Sequence, residues 1–388
     1  MTAGSTNTAR INTARINTAR INTVELTPPA TALVMVDATP TFARVSVPSV
    51  TLRAGEVLVA IELATVCGSD LHTVAGHRSA PTPLVLGHEQ VGRVLQFGPE
   101  PPTTVDGQPL SIGDRIVWGV AVDCGARDTC VAGFPNKCER LVKFGHEPMV
   151  DEWALNGGFA THAHLPARTP IVLVGDELPA VVAAPASCAT ATIVAAIASA
   201  AEVRDLAGTV ALVSGCGMLG LTAIAMLRDA GAVVVAVDPD ETRRSLAVEF
   251  GATVAVMPGL ERVRDALDQA GGGGRWSVAI EVSGAGAAIE TALALAGIGG
   301  VLVLVGSVSP APPIAVSAEA IVRSLVSIRG VHNYRPEHLA EAVQFLRTRD
   351  DAELARFIAL VGETLPFGRA EESLTRAPSA GARVGIRF

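Results

Sequence analysis

Residues 209–238 read TVALVSGCGMLGLTAIAMLRDAGAVVVAVD. The opening run, TVALVSG, is continuously apolar, the pattern of a strand buried on both faces, and it leads straight into glycines at Gly215, Gly217 and Gly220. A helix-forming stretch follows, LTAIAMLRDAG, and then a second apolar run that stops at Asp238. Strand, glycine turn, helix and strand in this order make a βαβ unit. The first glycine permits the tight turn, the second lets the backbone approach a pyrophosphate, and the third lets helix and strand pack closely. Met218 and Leu219 stand between them, at the helix N-terminus that would face the phosphates. Asp238 ends the next strand, where a carboxylate accepts hydrogen bonds from the adenosine ribose hydroxyls and repels a 2′-phosphate. NAD is the expected ligand, and Arg243 and Arg244, just behind, keep NADP possible.

Working outward, ATATIVAAIASAAEV before this unit and VAIEVSG, GGVLVLVG and LVSIRG after it continue the alternation of helices and strands. A doubly wound parallel sheet is expected over residues 185–332. Gly271 to Gly274 have no strand feeding them and read as a surface turn. Short β-type runs fill the region upstream, among them ALVMV, FARVSV, EVLVAIELATV, QVGRVLQFG and DRIVWGVAV, punctuated by Pro and Gly. They predict a β-rich or barrel-like domain over residues 25–184. The end of the chain, PEHLAEAVQFLRT and then ARVGIRF, reads as a return to that first domain over 333–388. With 388 residues, 49% of them apolar and only 4% aromatic, an α/β protein of two domains with an Ala/Val/Leu/Ile core is expected. Residues 7–24 repeat a pentad, NTARI, whose period fits neither helix nor strand. Residues 1–24 are expected to be a disordered low-complexity tail, a reading the strict repeat favours over a transit peptide.

A net charge of −8 with no basic block argues against nucleic acid or an anionic membrane as partner and leaves a small molecule. No 18-residue apolar run or signal-peptide pattern is present, so a cytoplasmic protein is expected. Six cysteines in so long a chain do not make a disulfide scaffold. Their grouping carries more information. Residues 67–89, CGSDLHTVAGHRSAPTPLVLGHE, put Cys67 at the end of an apolar strand and His88 and Glu89 just beyond a Pro-rich turn. A thiolate and an imidazole suit Zn²⁺, and a catalytic zinc needs three protein ligands and an open position. Cys188, in PASCATAT at the domain junction, is the best candidate for the third, and would set the metal in the interdomain cleft. Glu89 reads either as a further ligand or as standing just behind the metal. Ser69 and His72 are placed to take an alcohol proton and pass it to solvent. His77 reads as a loop residue.

These residues together resemble the zinc-dependent medium-chain alcohol and polyol dehydrogenases. CGSDLH, GHEQVG, a cysteine group, the glycine fingerprint and Asp238 occur in that family's order from about Ala32 to Phe388. GHEQVG, KFGHE, GGFATH, APASCATAT, GCGMLGL and GVHNY further resemble a subgroup associated with phosphonate metabolism and cyclitol reduction. The resemblance implies a GroES-like β-rich catalytic domain around an inserted Rossmann domain, and a homodimer or homotetramer. It implies zinc ligands at Cys67, His88 and Cys188 with Glu89 behind or alternating, a relay at Ser69 and His72, and a cofactor site at Gly215, Gly217, Gly220 and Asp238. Members with a structural zinc carry four cysteines spaced +3, +3 and +8. Here Cys124, Cys130 and Cys138 match but Arg127 takes the second place, so either Asp128 closes the second site as a substitute ligand or Arg127 has displaced the metal.

The expected activity is reversible hydride transfer between NAD(H) and a secondary alcohol or ketone, of polyol, cyclitol or phosphonate type. Reduction of a conjugated enone on the same scaffold and a non-catalytic nucleotide-binding sensor are the alternatives. A phosphorylated or phosphonate substrate should meet a basic pocket, for which Arg53, Arg78, Lys143 and Arg335 are candidates.

Overall fold

Strand Val57–Thr65 is buried along most of its length, and in the structure, a computed structural model that describes residues 21–37, 41–375 and 382–388, it lies inside a sheet whose strands are antiparallel except for the last pair, Val361–Pro366 and Arg383–Arg387. Glu89–Phe97 lies on one side and the C-terminal strand Arg383–Arg387 on the other, while His162–Leu165 also pairs with it. Register is what matters for function. Thr65 pairs with Glu89 and also with Gly385, so Cys67, His88 and Arg383, far apart in the chain, arrive at one end of three adjacent strands.

A second small sheet begins with strand Asn22–Met35, paired antiparallel with Phe42–Leu52 and briefly with Leu84–Val85. Its ladder shifts register between Glu25 and Ala30, where Pro28 and Pro29 supply no N–H. This corrects the boundary expected for the tail. Asn22, Thr23 and Val24 pair with Leu52, Thr51 and Val50 and belong to the fold. Their partners lie some thirty residues downstream, so the local pentad pattern carries no sign of the pairing. The rest of the predicted tail, residues 1–20, lies outside the described residues.

Between these β elements and the C-terminal return sits a six-stranded, all-parallel sheet. Its spatial order is Val254–Val256, Val233–Val237, Val210–Ser214, Trp276–Glu281, Ala296–Leu304 and Ser327–Gly330. Alternate residues enter two separate cores: Ala211, Val213, Val234 and Ala236 join one, Val210, Leu212, Val235 and Val237 the other. Burial on both faces explains why these strands read as unbroken apolar runs. Strand order reverses beside Val210–Ser214, and the crevice at such a reversal, outside the carboxyl ends of the strands, is where ligands bind. The α/β fold class is as expected, a GroES-like β-rich part with a Rossmann-type parallel sheet. Among the described residues no single helix is long and apolar enough to cross a membrane.

Candidate active site

Cys67 caps the helix Gly68–Val74, and its N–H donates to Asp70 Oδ2 at 2.9 Å. The other oxygen of Asp70 accepts from the Gly87 N–H at 3.3 Å and lies 3.4 Å from His88 Nδ1. One buried carboxylate thus holds both the cysteine turn and the Nδ1 side of the imidazole. Cys188 precedes the helix Ala189–Ala201. Its turn is fastened to the strand carrying His88, because the Ser187 hydroxyl donates to the His88 carbonyl at 3.2 Å, and Tyr334 Oη donates to the Ser187 carbonyl.

The ligand atoms of Cys67, His88 and Cys188 all lie within 4.8 Å of one another. Tetrahedral zinc with bonds of about 2.0–2.3 Å sets its ligands roughly 3.3–3.8 Å apart, so the donor set and its spacing fit Zn²⁺ with one position open. The Cys67 thiol is held well below the ordinary cysteine value, first by its hydrogen bond with Cys188, against burial, with Arg383 and His88 adding to the effect. A preformed thiolate is what a metal needs from cysteine.

Glu89 stands outside that triad. Its two oxygens accept from Arg383 Nε and Nη2 at 2.9 and 3.0 Å, and Oε2 also accepts from Thr65 Oγ1 at 2.7 Å. Arg383 Nη2 also approaches Cys67 Sγ at 3.6 Å. Glu89 is therefore taken up by Arg383 and Thr65 and lies outside the group formed by Cys67, His88 and Cys188. Ser69 Oγ is 3.3 Å from His88 Nε2, while His72 both lines the cleft and is exposed. His77, read as a loop residue, brings its Nδ1 to 3.5 Å from that of His72.

The nucleotide side of the cleft is built by the glycine turn. Gly215 has φ +98°, a conformation that L side chains rarely adopt, and a Cβ at Gly220 would lie 1.8 Å from the Gly215 carbonyl oxygen. At Gly217 the same atom would meet no protein atom within 4 Å, which leaves the room a pyrophosphate requires. Met218, Leu219 and Arg243 line the same cavity. Asp238 is buried and engaged: Oδ2 accepts from the Cys216 N–H at 2.7 Å and Oδ1 from the Asp240 N–H at 2.9 Å. Arg244 is spent on the carbonyls of Asp238 and Pro239. One cavity of about 1010 Å³ runs from this turn to Cys67, His88 and Cys188.

The second cysteine group also assembles. The sulfurs of Cys124, Cys130 and Cys138 lie within 4.8 Å of one another. Asp128 is exposed and outside the group, so the substitute ligand suggested from sequence is not delivered there. It opens the short helix Asp128–Val131, with Arg127 at its cap.

Sequence reading missed Asp70, Thr65, Arg383 and Tyr334. Asp70 had a signal, since an acid three residues after a cap is a capping pattern. The other three depend on long-range register and had none.

Known proteins resemble this chain in sequence and in fold. Residues 53–176 match the model of the alcohol dehydrogenase GroES-like domain, and residues 219–348 match that of the zinc-binding dehydrogenases. An L-threonine 3-dehydrogenase of Streptomyces coelicolor is 30% identical over 312 residues, 78% of this chain and 83% of that one. An alcohol dehydrogenase from Thermotoga maritima superposes with a TM-score of 0.84 at 25% identity, covering 92% of this chain and 99% of that one. A protein of Sinorhizobium meliloti described as a zinc-binding dehydrogenase, with NADP bound, has a TM-score of 0.79 at 22% identity over 93% and 99% of the two chains.

Proposed function

The chain belongs to the zinc-dependent medium-chain dehydrogenase family, and from that premise we propose that it transfers hydride reversibly between NAD(H) and a secondary alcohol or its ketone. The reading is carried by one observation: a single cavity is lined at one end by Cys67, His88 and Cys188 and at the other by the Gly215–Gly220 turn. Zinc, held by those three side chains, would supply Lewis-acid polarisation of the substrate oxygen.

Each remaining part has a protein group assigned to it. The turn's backbone and the start of helix Met218–Asp229 receive the pyrophosphate, and Asp238 receives the ribose hydroxyls. Ser69 takes the alcohol proton and hands it toward His72, whose exposure connects it to bulk water. Asp70 and the Glu89–Arg383 pair hold the two ligand strands in place. A polyol, cyclitol or phosphonate-type alcohol is the substrate class we favour, on the strength of the subgroup motifs. A cytoplasmic location fits cysteines kept reduced as metal ligands. A homodimer or homotetramer fits the apolar Val322, Leu325 and Ile328, exposed at the edge strand Ser327–Gly330 and the helix before it.

The test is turnover of a secondary-alcohol panel by zinc-loaded protein with NAD and NADP, run in reverse with a 4-deuterated cofactor. Deuterium on the carbinol carbon supports the proposal. Deuterium β to a carbonyl identifies an enone reductase instead, and tight cofactor binding with no turnover across the panel identifies a sensor.

A further inference from the structure

Charge along the cleft is lopsided. Among the described residues its lining includes Arg78, Lys143, Arg243 and Arg383 but only one carboxylate, Asp238, at the adenosine end. Arg383 is neutralised by Glu89. Arg78 and Lys143 have no such counterpart, and they sit at the opposite end from Asp238, beside the metal ligands. The His146 ring centroid is 5.0 Å from that of His88, and Arg78 Nη1 lies 3.1 Å from His146 Nε2. His146 Nδ1 donates to the Phe144 carbonyl at 2.7 Å, so its Nε2 is the acceptor and Arg78 the donor. One imidazole therefore separates the guanidinium from a zinc ligand. Lys143 approaches from the adjoining strand Val142–Lys143, half-buried, with His332 beside it.

Neither cation forms an ion pair among the described residues. Glu147 acts on the Lys143 ammonium but spends Oε1 on the Lys143 backbone N–H, at 3.1 Å. Burial and the neighbouring Arg78 and Lys137 draw the Lys143 ammonium below its ordinary pKa. A chain of net charge −8 thus keeps two partly buried, mutually repelling cations at its reactive end. That arrangement is unfavourable in the free protein and becomes favourable when a ligand brings the missing negative charge.

The geometry points to Arg78 and Lys143 as an anion subsite, so that the alcohol oxidised here carries a phosphate, phosphonate or carboxylate group close to its carbinol carbon. The inference rests on the dehydrogenase reading and deepens it. Of the four arginine and lysine candidates raised from sequence, these two line the cleft. Arg53 is exposed elsewhere, and Arg335 pairs with Glu337 at 2.9 Å. A zwitterionic amino acid is a poorer match, because among the described residues no carboxylate lines the metal end of the cleft to receive an ammonium group.

Four alcohols sharing the group CH₃–CH(OH)–CH₂–X test it, with X a hydroxyl, a phosphate ester, a phosphonate or a carboxylate. Turnover by the zinc-loaded enzyme is paired with calorimetric binding of each to the enzyme saturated with NADH. Any of the three anions should exceed the neutral diol in kcat/KM, and their rank names the group. Arg78→Ala and Lys143→Ala should each cut the charged-to-neutral ratio about ten- to a hundredfold, the scale of one charge-assisted hydrogen bond. Arg53→Ala should leave it alone. A diol used as well as the anions, with the ratio insensitive to both variants, overturns the subsite and spares the dehydrogenase reading. Binding of an anion that depends on Arg78 and Lys143, without turnover of any of the four, keeps the subsite and removes the dehydrogenase reading.

Discussion

Arg383 closes on Glu89 with two hydrogen bonds of 2.9 and 3.0 Å, and both side chains are buried. The pair locks the last strand of the chain to the strand that carries His88. Removing one member of a buried ion pair strands the other, at a cost of about 3–5 kcal/mol, whereas replacing both with apolar groups is far milder. Arg383→Met should therefore lower unfolding stability of the zinc-loaded protein by about that amount, and adding Glu89→Leu should restore most of it. Urea titration of the two proteins decides. Equal losses in the single and double variants would mean that the pair does not act as a unit.

Asp238 accepts from the backbone of the glycine turn and lies in the cofactor cavity. On the proposed reading its negative charge disfavours a 2′-phosphate. Asp238→Asn keeps the shape and removes the charge, so the kcat/KM ratio of NADP over NAD should rise roughly tenfold or more, a difference of about 1.4 kcal/mol. Steady-state kinetics with both cofactors measure it. A ratio that stays put would move cofactor choice to another residue, with Arg243 next in line.

What could be read from the sequence followed the range of the interactions. The parallel sheet was legible because unbroken apolar runs and the Gly215–Gly220 turn are local signals. Cys67 and His88 were legible because a short segment carries both, and Cys188 because the junction where it sits is marked by a change of pattern. Arg383 was illegible: its meeting with Glu89 follows from the pairing of Thr65 with Gly385, and no local pattern encodes that. Residues 22–24 failed for the same reason. Asp128 failed differently. Its spacing from the cysteines is plausible, but the short helix it opens leaves it exposed.

Zinc stoichiometry follows from that last point. Three thiols with no fourth protein ligand in the group among the described residues should hold metal less firmly than Cys67, His88 and Cys188, which meet in the interior. Elemental analysis after mild chelation should find one zinc per chain. Arg127→Cys supplies a fourth sulfur at the family's spacing and should raise the count to two, with higher thermal stability. Two firmly held ions in the wild type would contradict this.

Glu56 gives the acid limb of stability a specific origin. It accepts from His164 Nε2 at 2.9 Å and from the Arg53 N–H at 2.8 Å. Burial raises its pKa, but the hydrogen bond from His164 and those that follow outweigh burial and leave it below the ordinary glutamate value. A carboxylate depressed in the folded state stabilises above its unfolded pKa, about 4.3, and loses that contribution as pH falls through the folded value. Glu56→Gln should cost on the order of 1–3 kcal/mol at pH 7 and flatten the stability loss below about pH 4.5. Denaturation curves from pH 3 to 7 for both proteins test the sign. Parallel curves would clear Glu56 of the role.

The proton path is the part of the mechanism that kinetics can dissect. Ser69 Oγ stands 3.3 Å from His88 Nε2, and the exposed His72 has its Nδ1 3.5 Å from that of His77. A group that touches the substrate proton should matter more than one that only conducts it outward. Ser69→Ala should lower kcat on the order of a hundredfold or more, the usual worth of positioned proton transfer. His72→Ala should cost less, because water can replace an exposed imidazole, and added imidazole should rescue it. His77→Ala should leave a wild-type rate if His72 alone reaches bulk water, and should share part of the His72 defect if the proton travels through both rings. Solvent isotope effects on kcat across the three variants give the order of the path. A Ser69→Ala enzyme with undiminished kcat and an unchanged isotope effect would remove the serine from it, and leave the substrate to lose its proton directly to water in the cleft.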